Sequence, residues 1–201
     1  MQTTTALALR RAAIAAAVAA IGVVGATGAA PALATAPRGL AGPARPAQSA
    51  PCPGENLVPN AGNLARVRTA TLCLVNLRRR AGHVAPLRDN AALDYAAQSH
   101  SHDMVARSYF SHYTPSGTSP PVRDARAGYR GNYIGENLAW GEFSLGTPAA
   151  IVGLWMSDQG HRENILDPSY RDSGIGIVPG VPIAGGGRLF GGTYTQDFGA
   201  Q

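Results

Sequence analysis

Lysine is missing from this 201-residue chain: all 17 basic residues are arginine, against 12 acidic ones. Nucleic-acid binding needs basic residues gathered on one face, and the only basic run here is Arg78-Arg79-Arg80, at the end of an expected helix where cations complement the dipole. A nucleic-acid partner is therefore excluded. Cysteine is nearly missing too, with Cys52 and Cys73 alone, so the P-C-x-x-C that would complete a deaminase from His161-Arg162-Glu163 is absent. Neither H-E-x-x-H nor G-x-S-x-G occurs, and the glycines at 185 to 187 lack the lysine of a phosphate loop. Beyond the first 36 residues, no apolar run is long enough to span a bilayer.

The N-terminus carries a shorter one. Arg10 and Arg11 precede the apolar stretch Ala12 to Val24, and the small-residue sequences Ala32-Leu33-Ala34 and Ala34-Thr35-Ala36 follow. This order reads as a secretory signal peptide over 1–36, which predicts a secreted, extracellular protein with no membrane span after cleavage. Removing the leader leaves 15 arginines against 12 acids. Residues 37–51, rich in Pro and Ala, have no apolar periodicity with which to repay ordering entropy, and read as a spacer. Export places Cys52 and Cys73 in an oxidising compartment, and neither has a neighbouring base to activate a thiolate. A disulfide between them closes a loop of about 20 residues and contributes on the order of 3 kcal/mol.

The remaining residues, 52–201, form one domain. Leu64, Val67, Ala70, Thr71, Leu74 and Leu77 recur at helical spacing and Gly82 stops the run, predicting a helix over 63–81. A second helix, capped by Asp89 or Asn90, carries the inward stripe Leu93, Ala96, Ala97, His100 and Met104 and ends near Tyr109-Phe110. A short helical stretch follows at Val122 to Ala127, then an extended segment from Ile134 to Trp140. Thr147-Pro148 opens another helix. From Gly174 onward glycines, β-branched residues and aromatics predict two strands joined across Pro179 to Arg188. Helices first and strands last make the fold α+β.

Two polar motifs stand out in this aliphatic half: Gly135-Glu136-Asn137-Leu138-Ala139-Trp140 and Gly160-His161-Arg162-Glu163-Asn164-Ile165-Leu166. Each sets a titratable group beside glycine and large apolar residues, where burial must be offset by partners. Of the five histidines, His83 reads as a loop residue, His100 as a hydrogen-bonded core histidine and His102 as exposed. His112 leaves the second helix among aromatics, and His161 sits in a turn after a helix. With Glu136 they make a three-ligand set for zinc or another divalent metal with an open fourth position. Their separations form no short metal signature, so a structural hydrogen-bonded cluster is the competing reading. Asp158, three residues before His161, orients it or joins the site.

The motifs together resemble the CAP superfamily, in its bacterial SCP-like extracellular branch. The likeness runs from about Asn63 to Phe198, through Ala97 to Met104, Tyr109 to His112, the two polar motifs with Trp155 to Gln159, and Tyr194 to Gly199. It implies a three-layer α-β-α sandwich and a cleft tetrad of two histidines and two acids: His112, Glu136, His161 and Asp158. It also implies binding of a divalent metal or of a small apolar or cell-envelope ligand. The alternatives are a hydrolase, with a metal- or His/Glu-activated water and His112, Glu136 and His161 in the catalytic roles, and a structural or adhesion module.

Overall fold

The computed structural model describes residues 52–185 and 190–201. The expected leader and spacer, 1–36 and 37–51, lie outside the described residues. Helix α1 spans Leu64–Ala81 and buries Val67, Ala70, Thr71, Leu74 and Val75, nearly the stripe that the periodicity predicts. Helix α2, Ala91–Arg107, begins where the Asn90 side chain accepts from the Ala92 and Leu93 amides. It ends at Ser108, in the left-handed region at φ 54°, a little before the expected Tyr109-Phe110. Helix α3 is Pro120–Arg126, and α4 is Pro148–Ser157, capped by Thr147 as the Thr-Pro pair predicts.

One element departs from expectation. His161 does not sit in a turn after α4. Asp158 ends α4 and also caps a new helix, α5 (Gln159–Leu166), by accepting from the His161 amide at 3.0 Å. An aspartate three residues before the amide it caps is a helix-start signal, which places His161 in the first turn.

Strands β1 (Arg88–Asp89), β2 (Tyr133–Glu142), β3 (Asp172–Pro179) and β4 (Gly191–Ala200) form one sheet in the order β1-β3-β4-β2. The β3–β4 pair is the expected antiparallel hairpin, and β2 lies antiparallel along the other side of β4 with Glu136 opposite Asp197. Strand alternation then sorts the side chains. Ala139, Ile175, Ile177, Tyr194 and Phe198 meet Val67, Leu74 and Val75 of α1, Ile151, Val152 and Trp155 of α4, and Ile165 of α5 in the core. Glu136, Gly174, Gly176, Thr195 and Asp197 face the α2–α3 side. The result is the three-layer α-β-α sandwich.

On that second side α2 lies directly on β3. A Cβ at Gly174 would collide with the backbone of Leu93 and Asp94, and one at Gly176 with that of Ala97 and Gln98. The side chains of α2 finish the junction: Asp94 accepts from the Ile175 amide at 2.8 Å, Gln98 from the Ile177 amide at 2.9 Å, and Ser101 donates to Thr195 Oγ1 at 2.8 Å.

The Cys52–Cys73 disulfide is formed, with Cα atoms 5.7 Å apart, and fixes the start of the domain to α1. Arg79 is a second fastener that the sequence hides. Instead of merely complementing a helix end it is fully buried, donating to the carbonyls of Ala85, Ile165, Asp167 and Tyr170. It thereby closes the C-terminal end of α5, whose last carbonyls have no partner within the helix.

Candidate functional site

Glu136 projects from β2 toward the segment that leaves α2, and its side chain is 2% exposed. A buried carboxylate requires compensation. His112 supplies one part, its Nδ1 lying 2.7 Å from Glu136 Oε1, and Arg123 of α3 supplies the other by donating to Oε2. Arg123 also donates to the His112 carbonyl at 2.7 Å and to the Thr118 carbonyl at 3.2 Å, so it fixes both partners and the loop between them. A carboxylate oxygen only accepts, so His112 Nδ1 carries the proton of this bond, and in the neutral tautomer that this leaves Nε2 is an acceptor. His112 is half exposed and able to present that nitrogen to a ligand.

The second pair stands on α5. His161 Nδ1 lies 2.9 Å from Asp158 Oδ1, outside hydrogen-bond alignment, while the His161 amide is capped by the same carboxylate. That amide bond is the first cause holding the Asp158 carboxyl below its usual range. Two asparagines join the pairs reciprocally. Asn137, beside Glu136, donates to the His161 carbonyl at 3.1 Å; Asn164, three residues after His161, donates to the Glu136 carbonyl at 3.3 Å and to Asn137 Oδ1 at 2.9 Å. Each polar motif therefore holds the backbone of the other motif's titratable residue. Gly135 belongs to this junction, since a side chain there would strike the Tyr170 hydroxyl.

Behind Glu136 lie two further acids. Asp197, opposite it on β4, and Asp124, next to Arg123, are 0% and 1% exposed. None of their four carboxylate oxygens meets a donor group. Two facing carboxyls can satisfy each other only with a proton between them. Burial is the main cause that pushes the Asp124 carboxyl up to about 6 and raises Asp197 well above the carboxylate range, Glu136 adding its charge to both. His100 lies in the same layer, buried, with Nε2 donating to the Ser111 carbonyl at 2.9 Å. Burial lowers its pKa and keeps it neutral.

The four sequence-predicted site residues thus stand as two pairs, His112 with Glu136 and Asp158 with His161. Among the described residues, no group of three His, Cys, Asp or Glu is arranged to hold a metal ion. Both oxygens of Glu136 are engaged, one by the guanidinium cation of Arg123, so the zinc set His112, Glu136 and His161 does not fit as the side chains stand. Sequence reasoning missed Arg123, Asp124 and Asp197. For Asp197 a signal existed: an acid at an inward position of an otherwise uncharged strand. Arg123-Asp124 had only the weak periodicity of a seven-residue helix.

Beside the site, a groove of about 720 Å³ runs between the end of β2 and α4. Trp140, Leu145, Ala150, Gly153 and Leu154 line it together with Glu142 and Ser157, which is adjacent in sequence to Asp158. Leu145 and Leu154 are 69% and 51% exposed. Among the described residues no helix is long and apolar enough to cross a membrane.

Residues 72–182 match the family model described as CAP: Cysteine-rich secretory protein family. Among curated proteins, the chain is 35% identical over 105 residues to the uncharacterized protein YkwD of Bacillus subtilis, covering 52% of this chain and 40% of that protein. It is 31% identical over 106 residues to the uncharacterized membrane protein YlbC of the same organism, covering 53% and 30%. The chain therefore spans well under half the length of these relatives. Among solved structures, an extracellular SCP-domain protein of Bacillus anthracis aligns at TM-score 0.53 and 25% identity, over 70% of this chain and 41% of that one. An outer surface protein of Borrelia burgdorferi shares the fold at TM-score 0.54 and 16% identity, over 65% and 89%.

Proposed function

Because the chain belongs to CAP, the cysteine-rich secretory protein family, we propose that it is an exported binding module whose ligand is small and largely apolar. The ligand's body lies in the groove along β2 and α4, and its polar end meets the two histidine–carboxylate pairs. The observation that carries this reading is the groove itself: apolar side chains left in water beside a fixed polar cluster are the pattern of a small-molecule site. Burying Leu145 and Leu154 under a ligand recovers about 25 cal/mol for each Å² of apolar surface covered.

Gly153 gives a clean test. A Cβ there meets nothing within 4 Å, so Gly153→Leu starts into open space and puts its bulk in the groove that Gly153 lines. Titration with a fluorescent long-chain fatty acid is expected to saturate with wild type and to weaken at least about tenfold in Gly153→Leu. Equal affinity in the two proteins overturns the reading.

A second reading draws on the Glu136–His112 pair. A histidine whose Nδ1 proton is fixed by a buried carboxylate has the arrangement of a general base, which fits water-mediated hydrolysis of a peptide, lipid or cell-wall substrate. Turnover of such a panel that disappears in His112→Ala selects this reading over simple binding. Zinc is separated from both by calorimetry on chelator-stripped protein: saturable uptake that is lost in the His112→Ala/His161→Ala variant would show that the side chains rearrange to take the ion.

A further inference from the structure

The loop from α2 to α3 folds back beside α2, and between the two helices lies a depression of about 310 Å³ lined by polar and charged residues. Arginines reach it from both sides, Arg107 from α2 and Arg123 and Arg126 from α3, with the hydroxyls of Thr114 and Ser116 from the loop. Asp103 is the one acid of its lining. It is already shared, lying 3.4 Å from Arg107 and accepting from the Tyr109 hydroxyl at 2.6 Å.

Donors exceed acceptors here. Arg126 is exposed and makes no ion pair among the described residues. The Arg123 side chain is 9% exposed, and its Nε–H meets no acceptor although its other nitrogens are bonded. Thr114 Oγ1 and Ser116 Oγ lie 3.0 Å apart, and Thr114 Oγ1 also accepts from the Thr118 amide. Two hydroxyls that bond each other leave one proton free to donate outward. A ligand that fits must bring several acceptor oxygens and negative charge. Guanidinium forks match phosphate geometry, and a phosphate has more acceptor oxygens than a carboxylate for cations arriving from two helices.

We propose that this depression between α2, α3 and their connecting loop is a binding site for a phosphate monoester. It shares Arg123 with the Glu136 site and does not depend on the apolar groove. Part of the ligand beyond the phosphate would meet Asp103 and Ser99, which line the same depression and whose side chains can accept from hydroxyl groups.

The test is a titration of the folded protein with glycerol 3-phosphate at constant ionic strength, followed by amide and arginine Nε–H chemical shifts. The expected result is saturating shifts confined to residues 114–119 and the pocket arginines, with affinity about tenfold lower in Arg126→Gln and again in Arg107→Gln. Arg126 is exposed and makes no ion pair among the described residues, so its variant is expected to fold. Absence of saturable shifts, unchanged affinity in the Arg126→Gln/Arg107→Gln double variant, or equal binding of acetate overturns the site. Inorganic phosphate bound tighter than the ester overturns the ester assignment. Unchanged titration in Gly153→Leu is expected, and a loss there would overturn its independence from the groove.

Discussion

The buried acids Asp124 and Asp197 make the stability of the domain depend on pH in a direction opposite to that of most paired carboxylates. In the folded protein Asp124 is 1% exposed and its carboxyl is pushed up to about 6, from 3.8 when unperturbed. The charges that face it are Asp197 on β4, Glu136 on β2 and its chain neighbour Arg123. A raised native pKa means that the native state holds a proton that the unfolded chain releases between pH 4 and 6. Stability from Asp124 is therefore full below pH 4 and is lost as pH rises through about 6, and the raised Asp197 carboxyl carries the fall to higher pH. A rise from 3.8 to about 6 corresponds to at most about 3 kcal/mol. Asp124→Asn removes the ionisation, and its amide donates to Asp197. The variant should match wild type at pH 4 and exceed it at pH 8, by up to roughly 6–12 °C in melting temperature for a domain of this size. Melts of both proteins from pH 4 to 8 decide the matter. A stability difference that is the same at every pH, or a variant that is less stable at pH 8, refutes the shared-proton account.

Other expectations follow from the packing. Asn137→Ala and Asn164→Ala should each cost about 1–3 kcal/mol in urea melts, because each strips partners from buried groups, and the double variant should cost less than their sum. Strict additivity would mean that the reciprocal bonds are not one unit. Gly174→Ala should destabilise by more than about 3 kcal/mol or fail to fold, since its methyl group has nowhere to go but into α2; a near-neutral melt would contradict the backbone contact. Thiol labelling of unreduced protein should find no free cysteine, and Cys52→Ser with Cys73→Ser should lose on the order of 3 kcal/mol. Labelling of both cysteines would remove the bridge from the account.

The residues differ in how far their sequence surroundings reveal them. The stripe of α2 was legible because one buried face repeats at helical spacing, and Leu93, Ala96, Ala97, His100 and Met104 are all buried as that spacing requires. The Thr147-Pro148 start and the final hairpin were legible because caps and turns are local chemistry. Arg79 was not, because its four carbonyl partners lie on a loop and a helix end, three of them about 90 residues away. For the site, the polar motifs pointed to Glu136 and His161, yet their junction depends on strand register and on α5, neither of which is written in spacing. Arg123 was invisible for the same reason: its meaning comes from Glu136, 13 residues onward and on another layer.

The glycine contact between α2 and β3 has a mechanical side. With main chain resting on main chain at Gly174 and Gly176, no side-chain layer is left between helix and sheet to compress or slide. The wall that carries His112 and Arg123 is thus braced by a rigid floor. The opposite wall turns at Asp158, which ends α4 and starts α5, while Arg79 and the two asparagines hold the rest of α5. If the cleft opens to admit a ligand, the α4–α5 corner is the part free to swing, and relaxation dispersion should find slow exchange at residues 157–161 rather than along α2.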